Sequence, residues 1–525
     1  MFFRNLVVGL VFAVFSLVAL AVAGRPGTLD FTFGTNGTWS SSLLDSVPCG
    51  ALQSTGKLVL VGRCDGYLTS AFIDSFSVIC GTRATQDGQT DTSFSLRYQV
   101  VEQISDPITG LPTTRIRFTS PSGMGVQQDD KILVVGDCYV SKCVLRFFPD
   151  GPLDAGFGAG GIRTAPFAAT AIQVGPDGRM LIAGRCAAGI CLMRLLHDGT
   201  SDTSFGSAGS SVISVPPLPP SSGGTHVRLG FYSDGRIVVG ASCLVGVDLD
   251  FCGFRLLADG TLDNTFGASG QFQATIGAAN DYVNALLVTA DDKVILAGSC
   301  EILSAGPLTQ TTQCALRVKG DGSLDQCFGA PDRNSNTCTG AGAVSLVPAG
   351  YVSAGTLAVS IESGAKIFLA GYCTLAGTFG GDRACISRLS PTGVLDLSFG
   401  DEGFAIIEPA PANFWPSAAS SLFMASASTA VIGVACGNPN YIAAYSGFFC
   451  AARFDVGSAS TCSLDLDGDG LVLPLTDGLI NLRVASGFTG AAVLDGINFP
   501  ASATRRTWPV IRDFMVKSCG LSIPK

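Results

Sequence analysis

The chain has 525 residues, 66 of them glycine, and 32 basic against 41 acidic residues give it a formal net charge of −9 at neutral pH. No basic patch stands out, which argues against a nucleic-acid partner. Five glutamates and eight lysines leave little material for exposed helix faces, and so much glycine calls for many tight turns, so the composition reads as mostly β.

In chain order, the first feature is Arg4, the apolar run from Leu6 to Leu20, and Ala21-Val22-Ala23 ahead of Gly24. This is the form of a secretory leader over residues 1–23. Its apolar stretch is short for a bilayer span, and no later stretch is long and apolar enough to be one. The expectation is a secreted chain, periplasmic or extracellular. Without Arg4, 31 basic and 41 acidic residues remain, a net charge of −10.

A short phrase then recurs seven times: an apolar run, a glycine, a cysteine, a loop, a second cysteine and another apolar run. Its copies begin at Lys57, Lys131, Arg179, Arg236, Lys293, Lys366 and Thr429, and the return runs leave Cys80, Cys143, Cys191, Cys252, Cys314, Cys385 and Cys450. Repetition at this interval sets the architecture. The first cysteine closes one predicted strand and the second opens the next, a separation on antiparallel strands that a disulfide spans. The pairs are Cys64–Cys80, Cys138–Cys143, Cys186–Cys191, Cys243–Cys252, Cys300–Cys314, Cys373–Cys385 and Cys436–Cys450. Metal binding is the competing reading; varied spacings and only two histidines speak against it. Cys327–Cys338 and Cys462–Cys519 are further pairs, and Cys49 is left over.

After each return run comes a glycine turn and the phrase x-L-D-x-x-F-G, as in GPLDAGFG from Gly151 and GTLDNTFG from Gly260, with a weaker copy, GQTDTSFS, from Gly88. One unit reads as four short strands, the first ending at turns such as Asp177-Gly178, the fourth in or after the LDxxFG phrase. Asp30, Asp154, Asp263, Asp325 and Asp396 are expected to accept turn N–H groups, and Phe33, Phe157, Phe266, Phe328 and Phe399 to pack between units. The weak copy predicts a distorted first unit, with an insertion between Tyr98 and Val126. GTLDFTFG at Gly27 is the tail of a unit whose beginning is missing, and the seventh hairpin, ending at Phe454, has no tail of its own. That offset predicts a seven-bladed β-propeller of four-stranded blades over residues 24–456, closed by the N-terminal strand. A parallel β-solenoid is the alternative.

These units resemble the delta-60 repeat family of bacterial exported proteins, whose consensus joins a DG-K/R-hydrophobic-hydrophobic-G segment to a DG-x-LD-x-x-FG segment, as in VGPDGRMLIAG from Val174 and LADGTLDNTFG from Leu257. The resemblance covers nearly all of residues 27–455. It implies the repeat and no common activity. The cysteine pairs depart from it.

Residues 457–525 differ in composition. Asp465, Asp467 and Asp469 alternate, Gly470 follows, and the Leu471 carbonyl comes next, which is the opening of an EF-hand loop. The closing acid is displaced by one place: Thr476 stands at position twelve and Asp477 after it, at the start of an apolar helix. The segment resembles the dockerin-like EF-hand modules of exported bacterial proteins. Asp465, Asp467, Asp469, Leu471 and Asp477 are the expected ligands of one Ca2+, held weakly at about 10⁻⁴–10⁻³ M.

Recognised catalytic motifs are missing, and His197 and His226 stand in a repeat turn and beside a strand entry. The expectation is therefore a monomeric, non-catalytic binding or structural propeller, with an extracellular protein or glycan as partner. The alternative is an extracellular carbohydrate-active hydrolase or lyase on the same scaffold, for which Glu102, Asp106, Glu301 and Glu362 are candidates because they lie outside the recurring aspartates.

Overall fold

The computed structural model describes residues 26–44, 49–67, 75–98, 100–105, 112–117, 120–138, 141–215, 227–303, 309–329, 342–362, 364–375, 382–407, 415–437, 447–457, 466–467, 473–486, 488–500 and 503–517. The leader at 1–23 lies outside them. The chain falls into two compact units, Pro26–Val456 and a second that includes Gly457–Lys525.

The first unit is a seven-bladed β-propeller, each blade a four-stranded antiparallel sheet. Blades one to six take their strands in sequence order, blade one as Cys49–Leu52, Leu58–Tyr67, Ser75–Ala84 and Leu96–Tyr98. Blade seven takes Trp415–Met424, Thr429–Gly437 and Gly447–Asp455 from the end of the repeat region and completes its sheet with Thr38–Leu44 from the beginning. Thr38 pairs with Ala452 and Ser40 with Cys450, so the offset of the repeats is resolved as ring closure. The GQTDTSFS copy does not distort blade one, which has the same four strands as its neighbours. The insertion after Tyr98 forms a separate ribbon, Val100–Ser105 against Pro112–Arg117.

The middle strands of a blade read as continuous apolar runs because both faces are covered. In blade two, Leu133, Val135 and Val144 pack toward blade three, while Ile132, Val134, Leu145 and Phe147 pack toward blade one. Each recurring phenylalanine lies in such an inter-blade layer: Phe157 joins blade two to Met180, Ile182 and Leu195 of blade three. Phe33 joins Leu58 and Leu60 of blade one to Val431 and Ala451 of blade seven.

The LDxxFG phrase is one clamp repeated seven times. The arginine of each return strand (Arg83, Arg146, Arg194, Arg255, Arg317, Arg388, Arg453) places Nε 2.7–3.0 Å from the aspartate of the phrase. Its guanidinium lies 4.6–4.9 Å from the centre of the phrase's phenylalanine ring. Its Nη1 donates to a backbone carbonyl of the next blade, Pro149 for Arg83 and Gly320 for Arg255. The aspartate's other oxygen accepts the N–H two residues on, as at Thr265 and Ser204. A second ring of bonds is pure backbone. The N–H of Gly34, Ser95, Gly158, Gly206, Gly267, Gly329 and Gly400 donates to the carbonyl of Asp87, Asp150, Asp198, Asp259, Asp321, Thr392 and Pro26 in the following turn. The last of these bonds, Gly400 to Pro26, returns the ring to its start.

The seven inter-strand disulfides are present, with Cα–Cα distances of 5.8–6.1 Å. They join diagonal positions, where directly opposed cysteines were the expectation. Cys186 stands opposite Gly189, and Cys191 opposite Gly184. Strand twist brings one diagonal of an antiparallel pair together. Bonds of this number belong to an oxidising, non-cytoplasmic environment. Cys327 is also disulfide-bonded, while Cys338, Cys462 and Cys519 lie outside the described residues. Among the described residues, no helix is long and apolar enough to cross a membrane.

The second unit contains a π-helical turn, Pro474–Gly478, running into α1 (Leu479–Ala485), a 3-10 turn, Gly490–Val493, and α2 (Trp508–Lys517). Leu466, Ile480, Val493, Trp508, Ile511 and Met515 form its small core.

Candidate functional site in the central channel

The first strands of the seven blades face one another around a cavity of ≈ 320 Å³. Its wall is shaped by a repeated irregularity. The strand register skips Ser122, Thr170, Asn284, Leu357 and Ser420, each an extra residue in the first strand of its blade. A β-bulge leaves its extra residue unpaired and re-aims it, and all five line the cavity. In four of these five blades the glycine of the repeated apolar run admits the bulge, and in blade seven Val434 takes its place. A Cβ on Gly136, Gly184, Gly298 or Gly371 would overlap the carbonyl oxygen of Ser120, Ala168, Tyr282 or Gly355 on the bulged strand. A glycine read from the sequence as repeat punctuation is thus the reason a collar of mostly polar side chains rings the channel.

Two residues break the pattern. Blade four has no bulge at this level; its first strand begins at Arg228, opposite Gly240, and Arg228 lines the cavity. Blade one contributes Cys49, the free thiol among the described residues. Hydrogen bonds tie the collar from blade to blade. Ser122 Oγ donates to the Ala169 carbonyl, Arg228 Nε to the Asn284 carbonyl, and Asn284 Nδ2 to the Thr356 carbonyl at 3.0 Å. Arg228 Nη1 donates to the Val227 carbonyl at 3.1 Å. Among the described residues no carboxylate pairs with this guanidinium. Burial pulls Arg228 down to about 10, with partial relief from Cys49, and pushes the Cys49 thiol up to about 11, against the pull of Arg228. At neutral pH the channel therefore holds one cation and a neutral thiol. Arg228 was not legible as a site residue, because opposite Gly240 it takes the place that Gly123, Ala171, Ala285 and Ala358 hold in other blades, and only the register reveals that equivalence.

Of the acids singled out from the sequence, Glu301 and Glu362 do not converge. Glu301 follows Cys300 at the disulfide end of blade five, where Oε2 accepts the Asn280 N–H at 3.3 Å. Glu362 is buried at the opposite, turn end of blade six, and that burial raises its pKa. Glu102 lies on the inserted ribbon, and Asp106 lies outside the described residues, as does His226. His197 is exposed in its turn, with Nδ1 3.2 Å from Gln127 Nε2. Two acids that composition did not flag lie near Glu301. Asp281 is fully buried, accepts the N–H groups of Ile276 and Gly277, and is pushed up to about 6 by burial, with Asp250 and Glu301 adding repulsion. Asp250 accepts the Thr275 hydroxyl, and its Oδ1 is buried without a hydrogen-bond partner.

In the second unit, Asp465, Asp469 and Leu471 lie outside the described residues. Asp467 and Asp477 are both buried. The π-helical turn, with Gly478 N–H donating to Leu473 at 3.1 Å, absorbs the extra residue ahead of Asp477. Its carboxylate then turns back onto the loop and accepts the N–H groups of Leu466, Asp467 and Leu473 and the Thr476 hydroxyl. The displaced acid thus reaches the segment that the alternating aspartates open. Among the described residues no three carboxylate, histidine or cysteine side chains come together to hold a metal ion.

The family described as "Domain of unknown function (DUF5122) beta-propeller" matches residues 127–157, 175–205 and 233–266, which are parts of blades two, three and four. No curated protein matches the chain. Among solved structures, a protein of unknown function from Dyadobacter fermentans is similar at 10% identity and a TM-score of 0.36, over 80% of this chain and 99% of that one. Polysaccharide lyase Uly1 is similar at 8% identity and a TM-score of 0.40, over 83% and 94%. An α-L-arabinofuranosidase, Arb93A, from Fusarium graminearum is similar at 12% identity and a TM-score of 0.35, over 80% and 98%. At these scores the likenesses assign no activity.

Proposed function

We propose that this chain is an exported, non-catalytic binding propeller, carrying one calcium-binding loop in its C-terminal unit. The observation that supports it is the use made of the charges. The recurring aspartates and arginines are spent in inter-blade clamps, and the cavity at the propeller's centre is lined by neutral bulge residues and a single arginine, with no carboxylate on its wall among the described residues. Acid–base cleavage of a glycoside needs two convergent carboxyl groups about 5–10 Å apart. The disulfides staple the strands at one end of the blades, a frame suited to holding a protein or glycan partner outside the cell. In the C-terminal unit, Asp465, Asp467, Asp469 and the Leu471 carbonyl hold Ca2+, with Asp477 closing the loop.

The hydrolase or lyase reading has one observation in its favour, the coupled acids Asp281, Asp250 and Glu301 at the disulfide end. The test incubates the full chain with a panel of neutral and acidic polysaccharides and with intact cells. The expected result is retention without release of reducing ends or unsaturated uronates. Product release lost in both Asp281→Asn and Glu301→Gln would overturn the binding reading. Calcium titration of the full chain by calorimetry is expected to show one weak site, abolished by Asp467→Ala; no heat of binding would refute it.

A further inference from the structure

We propose that the central channel binds a small monocarboxylate, with its carboxylate on Arg228 and its apolar body against the side chains further along the channel. The proposal rests on the reading of the chain as a binding propeller and names the ligand class of its cavity.

The first argument is charge. A guanidinium partly withdrawn from water, as Arg228 is in the channel wall, calls for an anion or a full set of acceptors. Arg228 has five N–H groups; one on Nε goes to the Asn284 carbonyl and one on Nη1 to the Val227 carbonyl. The remaining three, shared between Nη1 and Nη2, have no acceptor among the described residues. Two of them form the parallel fork that a carboxylate fills. The Cys49 thiol, neutral at physiological pH, does not supply the missing charge.

The second argument is construction. Ser122, Thr170, Asn284 and Ser420 reach the channel at the level of Arg228 because their strands are bulged there. Bulges recurring at one level in separate blades, each admitted by a particular backbone accommodation opposite, make a collar set by the fold. Two residues further along the same strands, toward the turn end, the lining becomes Met124, Ile172, Leu286, Val359 and Leu422. A polar collar with one cation above an apolar barrel suits an anionic head on a short apolar body. The volume, ≈ 320 Å³, is on the scale of a small-molecule site.

Cys49 provides the assay. Iodoacetate is itself a small monocarboxylate, and iodoacetamide is its neutral counterpart. With either reagent the Cys49 sulfur displaces iodide from the methylene carbon, and the thiol proton goes to buffer. The native, oxidised full chain is alkylated with each reagent at pH 8.5, and the rate at Cys49 is read from the modified peptide by mass. The expected ratio of iodoacetate to iodoacetamide rates is at least tenfold higher in the wild type than in Arg228→Met, with Arg228→Lys between them. In the wild type alone, butanoate is expected to protect Cys49 and butanamide not, so the test stands even where Arg228→Met fails to fold. Equal ratios in the variants, equal protection by the amide, stronger protection by inorganic phosphate than by butanoate, or a Cys49 that neither reagent reaches would each overturn the proposal. Polysaccharide turnover is a separate measurement, so failure of the binding-propeller reading remains distinguishable from failure of this one.

Discussion

Asp263→Ala tests the repeated clamp where it is most buried. The Asp263 and Arg255 side chains are 8% and 3% exposed, and their atoms approach to 2.8 Å. The substitution also removes the acceptor of the Thr265 N–H at 3.1 Å and of its hydroxyl at 2.6 Å. Arg255 would keep the Gly320 carbonyl, the Thr265 hydroxyl and the Phe266 ring, but lose its counter-charge. Removing one partner of a buried ion pair costs about 3–5 kcal/mol, because the other charge is left uncompensated. Arg255→Met/Asp263→Ala removes both charges and is expected to recover at least about 2 kcal/mol of that loss, since a buried pair and an apolar replacement are often close in energy. Asp30→Ala is the control at the ring closure. Asp30 and Arg453 are 18% and 16% exposed, and Thr429 stands where the other blades supply a second cation, so the loss there should be nearer about 1–2 kcal/mol. Urea unfolding of the oxidised protein, followed by tryptophan fluorescence, measures all three. A cost below about 1 kcal/mol for Asp263→Ala, or strictly additive single-site costs in the double variant, would refute the clamp as a source of stability.

Two further outcomes follow from the bulges and the buried acids. Gly298→Ala is expected to destabilise by more than about 3 kcal/mol, because the added methyl meets the rigid carbonyl of Tyr282. In blade four Ala241 holds the place of Gly298, and Gly240→Ala, one position earlier, meets the movable Leu296 side chain at 2.5 Å and should cost well under half as much; similar midpoints in denaturant would refute the bulge argument. Asp281 is raised from 3.8 to about 6 by burial. The folded state therefore binds its proton more tightly than the unfolded state, so its contribution is present in full below pH 4 and is lost as pH rises through 6. Stability should gain up to about 3 kcal/mol between pH 7 and pH 4 from this group. Asp91, held low by hydrogen bonds from Lys57 and Ser93 and by Arg83, and Asp263, held low against burial by hydrogen bonds from Thr265 and by Arg255, lose theirs only at still lower pH. Thermal midpoints that do not rise on acidification from pH 7 to 5, or that rise equally in Asp281→Asn, would sink this account.

How much of this was written in the sequence follows from what repeats. A phrase copied seven times announces its own strands, and the displaced tail at Gly27 announces closure, because hydrogen-bonded edges must be satisfied somewhere in a ring. The diagonal disulfides were not legible, since a cysteine pattern fixes which strands meet and leaves open which diagonal the twist brings together. Neither was the clamp arginine, although it stands in every return strand: a charged residue two places from a buried apolar one looks solvated until the next blade is laid over it. The channel collar was the least visible of all. Ser122, Thr170, Asn284, Leu357 and Ser420 share no single residue type, and what unites them is a skipped register.

That difference separates scaffold from site in this molecule. Positions identical from blade to blade, such as the Asp, Arg and Phe of the clamp, are held by a structural demand that every blade makes equally. The bulge position is under a different rule, in which geometry recurs but chemistry varies, so each of the five bulged blades delivers its own side chain to one shared space. A seven-fold scaffold with a uniform collar would offer a ligand no orientation. Here a single cation on blade four and a thiol on blade one break the symmetry of the channel. An anionic ligand has one place to put its charge, and this asymmetry lies at the level where the fold turns its inner side chains toward the axis.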